Sequence, residues 1–173
     1  MAKVKGKKKL NKAVSATLKP FGIRKAKVHK EYAYFLNNSL VTFKITEGSL
    51  EDDWFIEFVK ERFDYDVKLP FIFSILHEVG HHKTLEDVYA NDDLYNFCIS
   101  EKKRIDKEMK TLEDETLARK LEFEYFNLPD EIIATAWAVS YMKNHPKKVK
   151  KMWEKCQKAL MEFYKTNKIN FED

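Results

Sequence analysis

Hydrophobic residues recur along the chain with two different spacings, and each spacing predicts a different kind of element. Apolar residues alternate over about 30–36 and 40–46, on either side of Asn37-Asn38, which predicts a β-hairpin. Beyond residue 48 they recur every three or four positions, as is typical of helices packed on one side. The predicted helices span about 49–62, 70–82, 92–110, 112–125, 130–144 and 147–165. The pattern therefore predicts an α+β fold that is mainly helical, with a small N-terminal hairpin or sheet.

Two short segments allow more than one interpretation. Residues 64–69 fit either an extended edge strand or an ordinary connector. The choice bears on function, because a free strand edge beside a reactive site can bind an extended peptide as an added strand. Residues 13–18 could form a short helix that ends at Pro20 and Gly22.

The predicted helix at 70–82 carries the most specific chemical signal in the chain. It begins at Pro70, which suits a first helical turn, and it is apolar almost all round, so we expect it to be buried. Within it, His77 and His81 are four residues apart and share one face, so both imidazoles can reach one metal ion. Glu78 is rotated by about 100° from His77, where a carboxylate can take a proton from metal-bound water. Its alternative role is a hydrogen bond to a histidine without catalysis.

A catalytic zinc site usually has a third protein ligand, and Glu131 is the first candidate. It lies in the first turn of an apolar helix, just after Pro129. Ala134, Thr135 and Ala138 lie on or near its face, and such small residues allow a close approach to another helix. The alternative is an ordinary first-turn acid stabilised by the helix dipole.

Other residues could complete or support this site. His82 is rotated by about 140° from His77, which makes it a poor third ligand on the same helix. His82 and Tyr141 are instead candidates to support a ligand or to stabilise an oxyanion, with Tyr89 and Tyr125 as further options for the latter. The remaining ligand alternatives are Glu122, Glu124, His29 and His145.

Charged residues are distributed unevenly along the chain. Residues 1–30 contain 11 Lys or Arg and no Asp or Glu, whereas the rest contains 21 basic and 28 acidic residues. We therefore expect residues 1–27 to form a flexible basic arm and residues 28–173 to form one domain. The arm is either a solvated tail or a weak nucleic-acid contact through residues 3–30. Base stacking is not expected there, because no aromatic residue precedes Phe21.

Composition indicates which cellular compartment and which kinds of partner to expect. The 173 residues are 44% hydrophobic, which fits a single packed domain. No run of 18 apolar residues predicts a membrane span, and no charged-then-apolar leader is present. Cys98 and Cys156 are far apart and lack a pairing motif, as in proteins of reducing compartments. We expect a cytoplasmic protein that has no membrane contact.

The two helices together resemble those of a known enzyme class. His77-Glu78-Val79-Gly80-His81, followed by Glu131 with small residues after it, is similar to the gluzincin type of zincin metallopeptidase. The similarity is greatest to the compact ImmA/IrrE-type proteins of bacteria, phages and mobile elements, and it covers about residues 28–145. No N-terminal helix-turn-helix is predicted.

The resemblance implies a zincin-like domain with Zn²⁺ held by His77, His81 and Glu131 and with Glu78 as the base. The implied function is zinc-dependent hydrolysis of peptide bonds in an intracellular protein, where Glu78 activates zinc-bound water. A phage or prophage gene in a bacterial host would suit such a protein. Two alternatives stay open, a non-catalytic binding protein on a zincin scaffold and a nucleic-acid-associated protein with a structural metal.

Overall fold

A computed structural model describes residues 7–29, 34–37, 40–44 and 54–167. The N-terminal part contains helix α1 (Lys7–Leu18), a 3₁₀ turn (Lys19–Phe21) and strands β1 (Lys25–His29), β2 (Tyr34–Asn37) and β3 (Leu40–Lys44). The remaining helices are α2 (Trp54–Phe63), α3 (Pro70–Lys83), α4 (Leu85–Tyr89), α5 (Asp92–Met109), α6 (Glu115–Phe126), α7 (Pro129–Asn144) and α8 (Pro146–Asn167). The described part of the chain is therefore mainly helical, as the hydrophobic spacing predicts.

The three strands form one small sheet in the order β1-β3-β2. β2 pairs with β3 in antiparallel fashion, with Phe35 opposite Val41, which confirms the predicted hairpin over its described residues. β1 pairs with β3 in parallel and was not predicted as a strand. Its sequence, Lys25–His29, has too few apolar residues to stand out from the basic segment before it. The ends of the predicted hairpin, residues 30–33, 38, 39, 45 and 46, lie outside the described residues.

Helix α1 contradicts the prediction of a flexible arm over residues 7–27. Leu10, Val14 and Leu18 are completely buried in the main hydrophobic core, and the helix packs against α8 and β1. Ser15 Oγ also accepts a hydrogen bond from the Ala26 backbone N–H. Lys8, Lys9 and Lys12 of the same helix are exposed, so a segment rich in lysine still forms an amphipathic helix with a buried side. Residues 1–6 lie outside the described part.

Several helices begin at residues that suit a helix N-terminus. Pro70, Pro129 and Pro146 each occupy the first position of a helix, where the missing N–H costs no hydrogen bond. Asn91 Oδ1 accepts from the Leu94 N–H at the start of α5, and Asp114 Oδ1 accepts from two backbone N–H groups at the start of α6. The five helices predicted between residues 70 and 165 match α3, α5, α6, α7 and α8 in position. The helix predicted at 49–62 matches α2 over its described residues, whereas the short α4 was not predicted. The expected N-cap near Ser49 lies outside the described residues.

Residues 64–69 form a connector rather than a strand. Asp64 has a positive φ of 47°, a left-handed turn that ends α2 and redirects the chain toward α3. The prediction of an edge strand there is therefore wrong, and so is a strand-addition surface at that place.

None of the helices in the described part combines the length and the hydrophobicity that a membrane span needs.

Candidate metal centre

Helix α3 holds the His-Glu-x-x-His motif inside the core. Its apolar residues, among them Phe73, Ile75 and Leu76, are buried, and the same helix buries His77 and Glu78, each 7% exposed. Phe55 of α2 lies edge-on against the His77 ring at a centroid distance of 5.0 Å. Polar groups held at such depth need partners, because burial without hydrogen bonds is costly.

Helix α7 supplies those partners because it approaches α3 very closely. A Cβ atom built on Gly80 would lie 2.3 Å from the backbone oxygen of Ala134, so only glycine fits at this crossing. Ala134 and Ala138 are completely buried, and Glu131 is 4% exposed. The prediction that small residues let the Glu131 helix reach the histidine helix is confirmed.

Three side chains from these two helices converge. His77 Nε2 lies 3.0 Å from Glu131 Oε2 and 3.1 Å from His81 Nε2, and His81 Nε2 lies 3.4 Å from Glu131 Oε2. These atoms form the group of the described residues that could hold a metal ion. The structure thus brings together the two predicted histidines and the carboxylate chosen first among the alternatives.

The donor set fits a divalent metal such as zinc. Ligand atoms about 2.0–2.1 Å from a tetrahedral zinc lie roughly 3.3 Å from one another, close to the three separations found. His77 Nδ1 lies 3.1 Å from the Thr135 hydroxyl, to which it would donate its proton when Nε2 binds a metal. Such a bond fixes the ring orientation and keeps Nε2 free to bind a metal.

Glu131 has a further partner that sequence reasoning missed. Lys102 Nζ of α5 lies 2.5 Å from Glu131 Oε1 and 2.5 Å from Asp130 Oδ2, while its side chain is 21% exposed. One carboxylate oxygen of Glu131 therefore binds the lysine, and the other faces the histidines. The ring of Tyr125 lies 5.1 Å from the same ammonium. No spacing signal distinguishes Lys102 from the other lysines of α5.

The charges of the site depend strongly on one another. Burial acts to raise the pKa of Glu131, but His81, His77 and Lys102 outweigh it and hold that pKa well below its usual range. Burial alone would lower the pKa of Lys102, but Glu131, Tyr125 and Asp130 reverse this effect and raise it. Glu131 and Lys102 are thus both ionised, as a metal-binding carboxylate and its counter-charge should be.

Glu78 differs from Glu131 although both are buried. The pKa of Glu78 is raised to about 7, chiefly by burial; His77 and Lys102 act to lower it, and Glu131 acts with burial to raise it. Its Oε2 atom is buried and has no hydrogen-bond partner within the described part of the chain. This carboxylate interacts electrostatically with His77 and Glu131, and one of its oxygens makes no hydrogen bond to the described residues.

The two supporting residues predicted from the sequence, His82 and Tyr141, both have contacts near Phe21. Tyr141 packs against Phe21, Trp137 and His145, and it is about 15 Å along α7 from Glu131, so it does not reach the cluster. Burial and the charge of Lys83 lower the pKa of His82, and a hydrogen bond with the Phe21 backbone acts in the opposite direction. Tyr125, beside Lys102, is the predicted tyrosine that the structure places near Glu131. Glu124, an alternative ligand, instead binds Arg104.

Comparisons with protein-family models, with curated proteins and with solved structures found no match to this chain. The resemblance to zincin metallopeptidases therefore stays a prediction that rests on the motif and on the geometry above.

Proposed function

We propose that the protein is a zinc-dependent metallopeptidase that hydrolyses peptide bonds of an intracellular protein. The observation that carries the proposal is the convergence of His77 Nε2, His81 Nε2 and Glu131 Oε2 from two helices about 50 residues apart in the sequence. Two histidines and one carboxylate are the ligand set of a well-known class of catalytic zinc sites, in which the fourth position stays open.

Each residue of the site would have its own chemical role. A bound divalent metal would polarise a carbonyl oxygen and lower the pKa of a coordinated water toward about 7. His77, His81 and Glu131 would hold the ion, and Thr135 would keep the His77 ring in orientation. Glu78 would accept the proton of the attacking water and deliver it to the leaving amine nitrogen.

Replacing the base while keeping the ligands tests this function. In Glu78→Gln the side chain keeps its size but cannot take a proton, so we expect zinc to be retained and peptide hydrolysis to fall by at least about 100-fold. Zinc is measured by elemental analysis and hydrolysis with a fluorescence-quenched peptide library. Glu86→Gln, an exposed carboxylate on α4, is the matched control and should behave as wild type.

Three results would contradict different parts of the proposal. Hydrolysis that survives in Glu78→Gln would remove this residue as the base. A wild-type protein that binds one zinc ion and cleaves no peptide would instead favour a non-catalytic binding protein. Loss of zinc in His77→Ala but not in Glu131→Ala would place the third ligand elsewhere.

A further inference from the structure

The structure unites two lysine-rich parts of the chain that are more than 100 residues apart. Residues 7–27 carry eight Lys or Arg and no acid, and residues 146–167 carry seven Lys and two Glu. α1 packs against α8, so these segments are neighbours. Residues 28–145 carry 14 basic and 24 acidic residues, a net charge of −10. The positive charge is therefore concentrated on the side of the molecule formed by α1 and α8.

The lysines of α8 form a stripe on the exposed side of the helix. Its buried side consists of residues such as Met152, Cys156 and Leu160. On the opposite side the exposed lysines recur at intervals of three, four and seven residues, so they share one face. They are Lys147, Lys151, Lys155, Lys158 and Lys165. The stripe is about 27 Å long, since each helical residue adds about 1.5 Å.

The lysines of α1 extend this stripe. Lys9 forms a salt bridge with Glu162, which lies between Lys158 and Lys165 on the exposed side of α8. The contact compensates one of the two acidic residues of α8. Lys12, one turn beyond Lys9, is exposed as well. The exposed lysines of α1 and α8 therefore adjoin and form one basic surface, in which Glu154 is the second acidic residue on the α8 face.

We propose that this basic surface binds duplex nucleic acid through its phosphate backbone, without reading the sequence. A stripe of about 27 Å spans about eight base pairs, because successive base pairs are about 3.4 Å apart. The aromatic residues of α8 do not project from this face, since Phe163 and Tyr164 are buried and Trp153 is partly buried. Exposed rings for base stacking, which single strands favour, are thus absent from the described residues of α1 and α8. The candidate metal ligands lie on α3 and α7, so the surface is independent of the proposed peptidase activity.

The test measures binding of a fluorescent 20-base-pair DNA duplex by anisotropy at several salt concentrations. We expect the affinity to fall with salt at a log–log slope near −4 or steeper, because each phosphate contact releases about 0.9 counterion. Lys151→Ala with Lys155→Ala should weaken binding by about tenfold at low salt and reduce the slope by about 2, for any duplex sequence. Lys103→Ala with Lys107→Ala, exposed lysines of α5, removes the same charge and should leave the affinity unchanged.

Several results would overturn the proposal. Equal losses in the two double variants would mean that net charge alone attracts the duplex. Tighter binding to a 20-nucleotide single strand, or to vesicles with 30% phosphatidylserine, would assign the surface to a different ligand. The measurements are made with and without zinc, and a requirement for zinc would also contradict a surface separate from the metal site.

Discussion

The Lys102 ammonium lies between two carboxylates, those of Asp130 and Glu131, and Glu131 is also a candidate metal ligand. Because Lys102 occupies Glu131 Oε1, it leaves Oε2 to face His77 and His81. A carboxylate held in this way presents one oxygen in a fixed direction. Partners of this kind commonly change metal affinity by 10- to 100-fold when they are removed.

Lys102→Met is expected to weaken metal binding by about 10- to 100-fold, since Glu131 loses the cation that fixes its orientation. The affinity is measured by competition of the folded protein with a zinc chelator. Lys103→Met, an exposed neighbour on the same helix, is the control and should bind zinc as wild type does. An unchanged or higher affinity in Lys102→Met would show that Glu131 is oriented without the lysine.

At the scale of elements, the crossing of α3 and α7 sets the geometry of the site. Gly80 removes the side chain that would separate the two backbones, and Ala134 lies directly opposite. Glu131, about one turn before this contact, and Thr135, the residue after Ala134, then reach His77 from the neighbouring helix. A helix pair held a few ångströms further apart could not bring these atoms within 3–3.5 Å.

The Gly80→Ala substitution shows whether helix propensity or packing dominates the stability at this position, because the two predict opposite changes. Propensity alone predicts that alanine stabilises the helix by about 1 kcal/mol, whereas the contact with the Ala134 oxygen predicts a loss. We expect the contact to dominate and the free energy of unfolding to fall by about 3 kcal/mol, with weaker zinc binding. Chemical denaturation measures the change. Ser74→Ala, which adds no volume to α3, is the control, and a stabilised Gly80→Ala would show that the helices lie further apart.

At the scale of the whole molecule, the first and last described helices, α1 and α8, pack into the same hydrophobic core. α1 contributes Leu10, Val14 and Leu18, and α8 contributes Leu160 and Tyr164, to the same hydrophobic cluster. Lysines surround these residues in the sequence, yet they lie on the outer side of each helix. The charge separation of the molecule is a consequence of this packing.

Leu10→Ala tests whether α1 is part of the folded domain. Loss of a completely buried leucine should reduce the free energy of unfolding by about 2–5 kcal/mol. Lys12→Ala, exposed on the same helix, should change it by less than about 0.5 kcal/mol. Thermal and urea denaturation provide the measurement. Equal, small effects of the two substitutions would instead support a flexible arm.

The sequence by itself determined the parts of this protein that depend on local spacing. Four features follow from 3.6 residues per turn. They are the helix predicted at 70–82, the shared face of His77 and His81, the flanking position of Glu78 and the small residues beside Glu131. Only the tertiary structure decided which distant groups meet. It selected Glu131 over Glu124, placed Lys102 against Glu131, packed Tyr141 against Phe21 and Trp137, and packed α1 on α8. Local spacing fixes which residues share a face, but contacts across 20 to 150 residues depend on how whole faces pack together.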